Sequence, residues 1–145
     1  MEWRPHITVA AVIKKAGKYL FVEEKINDKI VINQPAGHLE KNESLVDAVK
    51  REVLEETGGI FMPAGLVGIY NYPNYAEDIT YIRFCFHGDC GTFIKNPQLD
   101  EVIIRTLWLA KDELDSQSSK LRSHIVRKCI NDYESGAAMP LNILK

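Results

Sequence analysis

Few features of this chain are in excess, and several are missing. Cysteine occurs three times, as Cys85, Cys90 and Cys129, with no C-x-x-C pair among them. An odd, scattered set excludes a disulfide framework and lacks zinc-ligand spacing, so it reads as reduced thiols in a cytoplasmic protein. Neither sign of charge dominates: 18 Lys and Arg stand against 20 Asp and Glu, for a net charge of −2. That removes the electrostatic case for a nucleic-acid polymer as partner, since such binders show a basic face. Long apolar runs are also absent. No segment approaches the ~20 apolar residues of a membrane span, and the opening MEWRPHITVAAVI lacks the layout of a signal peptide. No repeat, low-complexity tract, linker or heptad run interrupts the pattern. The expectation is one domain over residues 1–145, monomeric or weakly homodimeric, acting on a small molecule.

What is present is enough to fold. At 46% hydrophobic and 26% charged, the composition is that of a globular domain with a substantial core. ITVAAVIKKAGKYLFVEEK reads as two strands joined at Ala16-Gly17, because β-branched and aromatic residues flank a glycine turn. IVINQPAG reads as a short strand ending in a Pro/Gly loop. SLVDAVKREVLEET reads as a helix, with Ser44 and Asp47 spaced as a capping box and Gly58-Gly59 as the stop. GLVGIYNY, ITYIRFCFHG and EVIIRTLWLA are further strands, separated by polar turns containing Pro73, Asn74, Gly91, Asn96 and Pro97. KDELDSQ reads as a short helix. LRSHIVRKCINDYESG places Leu121, Ile125, Cys129 and Ile130 at helical spacing and ends at Gly136. Strands, helix, strands, helix imply an α/β (α+β) sandwich on a mixed sheet.

The helix carries the chemistry. At about 100° per residue, Leu45, Val49 and Val53 share the face that packs on the sheet. Glu52, Glu55 and Glu56 fall in one arc beside that face, related as i, i+3 and i+4, so their carboxylates can converge. Arg51 points away from the centre of the arc on this wheel, toward an ion pair with Glu43 in the preceding loop. Like charges so placed repel unless a cation joins them, and an oxygen-only set favours magnesium, calcium or manganese. The competing reading is a solvated acidic stripe, since Glu is a good helix former. Gly37 precedes this stretch and permits a tight backbone whose carbonyl turns toward a metal.

Together these residues resemble the signature of the Nudix hydrolase family, G-x5-E-x7-R-E-U-x-E-E-x-G-U with U apolar. Gly37, Glu43, Arg51, Glu52, Val53, Glu55, Glu56 and Gly58 match in register, while Gly59 stands where an apolar residue is usual. NQPAGHLE, YIRFCF, the Trp108 strand followed by KDEL, and LRSHIV through PLNIL are similar to the NudJ phosphatase branch of that family. The resemblance implies an α/β/α sandwich and divalent-metal-dependent hydrolysis of phosphoanhydride bonds, with Mg2+ as cofactor and Mn2+ as substitute. The branch implies nucleoside di- and triphosphates, or hydroxymethylpyrimidine pyrophosphate, as substrates and orthophosphate as product. A catalytically silent nucleotide sensor or scaffold is the alternative, which lost glutamates would favour; none is lost.

Roles follow from that implication. Glu52, Glu55, Glu56 and the Gly37 carbonyl are the candidate metal ligands, and Glu55 and Glu56 candidate catalytic groups. Glu43, Arg51 and Gly58 are the structural members of the motif. Glu101, before the EVIIRTLWL strand, is the outside candidate for a fourth ligand or base; its plain alternative is an exposed turn carboxylate. A polyphosphate also needs protein cations, and Arg4, Lys25 and Arg83 are the candidates. Arg83 either faces a cleft and grips phosphate or points outward from an alternating strand. Stacking on a ring could fall to Trp3, Tyr70, Tyr72 or Tyr75, with core packing as the alternative for each. His6 and His38 read as ordinary polar residues.

Overall fold

The computed structural model describes residues 2–145. Its first element is the expected hairpin. Strands β1 (His6–Lys15) and β2 (Lys18–Ile26) are joined by Ala16 and Gly17, whose φ values of 51° and 78° form the left-handed pair that a two-residue hairpin turn requires. β3 (Lys29–Asn33) and the three-residue β4 (Ala36–His38) follow. β4 corrects the expected loop: its backbone pairs antiparallel with β1, Val9 against Gly37. Helix α1 (Leu45–Thr57) starts where Ser44 accepts a hydrogen bond from the Asp47 N–H and ends where Gly58, at φ 76°, returns its N–H to the Leu54 carbonyl. Only one half of the expected capping box is used, since Asp47 contributes its backbone alone.

β5 (Gly59–Asn74) and β6 (Ile79–Phe93) form a long, bulged antiparallel pair, and β7 (Ile103–Leu109) leads to α2 (Lys111–Ser116) and α3 (His124–Glu134). Pro73, Asn74 and Gly91 therefore lie inside strands and not in the expected turns, and Leu121 precedes α3, bridging to Ile32 of β3. The strands form two groups. β4, β1, β6 and β5 lie side by side, with β1 and β6 parallel. β3, β2 and β7 form the other group. β1 and β2 pair only at the hairpin end, Lys14 with Tyr19 and Lys15 with Lys18, and then diverge.

Alternation along β1 builds a core on each side. Val9, Ala11 and Ile13 pack with Ala48, Val49 and Val53 of α1, while Ala10 and Val12 pack with Ile125, Val126, Cys129 and Ile130 of α3. Full burial of each such Val or Ile contributes about 2 kcal/mol. The result is the expected α/β/α sandwich. The departure at Gly59 has a steric cause: a Cβ there would lie 2.9 Å from Cys90 Sγ and 3.0 Å from Thr57 Oγ1. Phe61, two residues on, fills the core in its place, and Ile60 is exposed.

Candidate active site

A cavity of about 600 Å³ opens where β1 and β2 part, between the two strand groups and the α1 face that carries the glutamates. Glu24, Glu52, Glu56, Arg83 and Arg122 all line it. The glutamate arc forms as the helical wheel requires, but its members divide. One carboxylate oxygen each of Glu52, Glu55 and Asp100 lies within 4.8 Å of the others. Glu56 turns the other way, into the cavity wall, where Oε1 accepts a 2.8 Å hydrogen bond from the Ala36 N–H. Its Oε2 makes no hydrogen bond among the described residues.

Arg51 requires a correction. It does pair with Glu43, at 2.6 Å from Nε and 2.9 Å from Nη2, and it ties the β4 exit through the His38 carbonyl at 3.0 Å. It does not point away from the arc, however. Nη1 lies 2.7 Å from Glu52 Oε1 and 3.2 Å from Glu55 Oε2, so two of the three glutamates have a cationic neighbour. The helical wheel fixes where Cβ projects, and the long Arg side chain then reaches back across it.

The electrostatics reflect this division. Burial pushes the Glu52 carboxyl up to about 7, against the opposing pull of Arg51. Burial pushes Glu56 further, to about 9, with the Ala36 N–H opposing and the charges of Glu24, Glu52 and Asp100 adding to the rise. Glu43 is held below the usual carboxylate range by its bonds to Arg51. Gly37 contributes space: a Cβ there would stand 2.1 Å from Glu52 Cδ, so only glycine lets this carboxylate lie against the β4 backbone.

Other candidates separate just as plainly. Glu101 is exposed in the turn before β7, and its neighbour Asp100 is the residue that joins Glu52 and Glu55. Asp100 is placed by a hydrogen bond from its N–H to the Glu55 carbonyl at 3.1 Å. Arg83 is buried and lines the cavity, so it does not point outward into solvent from its strand. Arg4 pairs with Glu2 on the surface, and Lys25 is exposed on β2 away from the cavity. Of the aromatic candidates, Tyr72 reaches the cavity, Tyr70 is a core residue bonded to Asp132, and Trp3 and Tyr75 are exposed. His6 and His38 lie edge to face, with Nδ1 and Nε2 3.2 Å apart, and His38 is at the cavity rim.

Residues that local spacing does not reveal complete the site. Glu24, buried on β2, is paired to Arg122 at 2.9 Å across the cavity mouth. Tyr81 stacks on Tyr72 at 5.2 Å, and Gln34 holds Arg83. The strand periodicity of VEEK carries a faint signal for Glu24, since it shares a face with the apolar Val22. The oxygen-only set of Glu52, Glu55 and Asp100 fits a hard divalent cation in donor type and proximity.

Comparison with known proteins identifies the family. The family model described as NUDIX domain matches residues 4–129. Phosphatase NudJ of Escherichia coli (strain K12) is 39% identical over 143 residues, covering 98% of this chain and 92% of that protein. A solved NUDIX hydrolase from Nitrosomonas europaea is 45% identical and superposes with a TM-score of 0.96, covering 98% and 97% of the two chains. A MutT NUDIX hydrolase from Burkholderia pseudomallei, 21% identical with a TM-score of 0.75 over 90% and 98% of the chains, shares the fold.

Proposed function

The chain belongs to the NUDIX family and is a hydrolase of it, and from that premise we propose that it cleaves a phosphoanhydride bond in nucleoside di- or triphosphates, or in a small pyrophosphate such as hydroxymethylpyrimidine pyrophosphate, with a bound divalent cation. The single observation that carries this reading is the trio of Glu52, Glu55 and Asp100 oxygens within 4.8 Å at the edge of a cavity large enough for a nucleotide. Glu52, Glu55 and Asp100 would hold Mg2+, or Mn2+ in its place, and the Gly37 backbone beside Glu52 would offer a carbonyl as a further oxygen donor. When bound, such an ion neutralises phosphoryl charge and lowers the pKa of a coordinated water.

The chain's own groups do the rest. Glu56 is fixed through Oε1 by the Ala36 N–H, and Oε2 accepts the proton lost by the attacking water. Burial alone favours the protonated form of Glu56, and cations entering the site lower its affinity for protons and free it to act as the base. Arg51 locks Glu43, the β4 exit and Glu52 into one network, so the carboxylates are oriented before substrate arrives. Arg122, braced by Glu24, supplies positive charge at the mouth. The similarity to phosphatase NudJ favours terminal release of orthophosphate. All three cysteines are unpaired and buried, which fits a reducing cytoplasm, where we place the enzyme. Among the described residues no helix is long and apolar enough to cross a membrane.

The test is a panel of nucleoside di- and triphosphates and hydroxymethylpyrimidine pyrophosphate, with and without magnesium, scoring orthophosphate and pyrophosphate separately. Magnesium-dependent orthophosphate release from at least one member is expected. No magnesium-dependent release from any of them would refute the proposal.

A further inference from the structure

His6 and His38 are 32 positions apart in the chain, and no spacing within one segment announces them as a pair. β1 and β4 bring them together. Thr8 is the ladder partner of His38, and His6 is two residues before Thr8, so the two imidazoles are diagonal neighbours on one face of the sheet. His6 is also the partner of Tyr81 in the parallel β1–β6 ladder. The Tyr81 ring lies edge to face with His6 at 5.7 Å and tilted against His38 at 6.4 Å, so it walls the pair on one side. The backbone that carries His38 is fixed from both directions. The Leu39 N–H donates to the Ile7 carbonyl at 3.0 Å, and the His38 carbonyl accepts from Arg51 at 3.0 Å. On this frame His6 Nδ1 and His38 Nε2 face each other at 3.2 Å, and His38 lines the rim of the cavity.

Two imidazole nitrogens this close are joined either by one proton or by one metal ion. Two Zn–N bonds of about 2.0–2.1 Å at a tetrahedral angle set their nitrogens roughly 3.3–3.4 Å apart, close to the separation already present. Each neutral ring has a second nitrogen to carry its proton. With His6 protonated on Nε2 and His38 on Nδ1, both facing nitrogens offer lone pairs at once. Imidazole suits zinc, nickel and copper, whereas carboxylate oxygens suit magnesium and manganese. The pair therefore differs in donor type from the oxygen-only trio of Glu52, Glu55 and Asp100. The charge of Arg122 reaches His38 and opposes a cation there, but Glu24 pairs with that charge at 2.9 Å. We infer that His6 and His38 form a second cation site, a two-nitrogen chelate for Zn2+ or a cation of its class, with water in the remaining positions. An ion held there staples the exit of β4 to the start of β1, beside the carbonyl that anchors Arg51. The site is independent of the reaction assigned to the glutamates.

The test uses the full chain without an affinity tag, in excess magnesium so that the oxygen site is filled. It is run at about pH 7.5, where an imidazole of ordinary pKa near 6.5 is neutral. Isothermal titration with Zn2+ reads affinity and stoichiometry for the wild type and for His6→Gln, His38→Gln, His124→Gln and Asp100→Asn. One Zn2+ per chain is expected in the wild type. His6→Gln and His38→Gln should each weaken it at least about tenfold, since losing even an outer partner of a ligand costs that much. His124→Gln and Asp100→Asn should stay within about twofold of wild type, because neither residue gives the chelate a nitrogen. Cu2+ in the same buffer supplies a spectroscopic check. Its electron paramagnetic resonance should carry the splitting of two coordinated nitrogens in the wild type and lose one in either histidine variant. No Zn2+ uptake by the wild type in excess magnesium would overturn the site. So would histidine variants that bind like wild type. Uptake lost in Asp100→Asn and kept in His6→Gln would place the ion among the carboxylates and overturn it as well. If one histidine variant does not fold, the other and the wild-type Cu2+ spectrum decide the matter.

Discussion

Replacing Arg51 with alanine tests whether the network around the glutamates is a structural strut. The guanidinium makes five hydrogen bonds: two to Glu43, one to the His38 carbonyl, and one each to Glu52 and Glu55. Its side chain is 20% exposed, and those of Glu43 and Glu52 are 14% and 10% exposed. Removing one partner of a buried ion pair costs about 3–5 kcal/mol, because the other charge stays behind unpaired. Two factors lower the figure here: partial solvent access to Arg51, and the ability of Glu52 to take up a proton. A loss of about 3 kcal/mol is therefore expected. For 145 residues, an unfolding entropy of roughly 0.3 kcal/mol per degree turns this into a Tm lowered by about 10 °C. Thermal unfolding followed by circular dichroism at pH 7.5 without metal reads it. A cycle with Glu43→Gln then isolates the pair, the double variant losing clearly less than the two single losses added. A Tm lowered by under about 2 °C, or strict additivity with Glu43→Gln, would refute the strut.

Four further outcomes are expected. Glu56→Gln should cut magnesium-dependent turnover on the order of 100-fold, yet hold or raise Tm, since it removes a carboxyl that burial already disfavours as an anion; a variant with wild-type rates at saturating magnesium would strip Glu56 of its role. Asp100→Asn should lower activity about tenfold or more, while Glu101→Ala changes it less than about twofold, and steady-state kinetics that reverse this order would restore Glu101 as the outside carboxylate. Gly37→Ala places a methyl on the Glu52 carboxylate, so the magnesium concentration for half-maximal rate should rise with only a small change in Tm; an unaltered magnesium titration counts against contact between Glu52 and the ion. Burial holds His87 below its ordinary value near 6.5, so it contributes stability that is complete above that value and is lost as pH falls through the lower folded value. Tm should therefore decline on acidification from pH 7.5 to 5.5, less steeply in His87→Gln, and identical slopes would contradict the assignment.

Much of this architecture can be read from local patterns. The Ala16-Gly17 turn, the Ser44 and Gly58 helix ends and the alternation of β1 each leave a signal within a few residues. β4 leaves none: three residues after Pro35, one of them glycine, have no periodicity, and their strand state exists only because β1 is there to pair with them. The length of β5 is hidden by Pro63 and Gly65, which read as breakers but sit at register shifts where the ladder tolerates them. At the site, the i, i+4 relation of Arg51 to Glu55 is present in the helix, whereas the approach of Arg51 to Glu52 depends on how a flexible side chain folds back. Asp100, Glu24, Arg122 and Gln34 come from elements far apart in the chain. Glu24 and Arg122 meet in the cavity lining, Asp100 meets Glu52 and Glu55, and Gln34 stands against Arg83; these meetings are a property of topology, which spacing within one segment does not encode.

The divergence of β1 and β2 has a mechanical consequence. Their shared turn is a fulcrum, and the cavity lies at the far end of the two arms, with Thr8 and Arg83 on one arm and Glu24 and Asn33 on the other. A molecule gripped by both arms is a brace across an open caliper, so small angular play at Lys14–Tyr19 is magnified where the bond is broken. Substitutions in the hairpin, remote from every reacting atom, would loosen that grip before they loosened the fold.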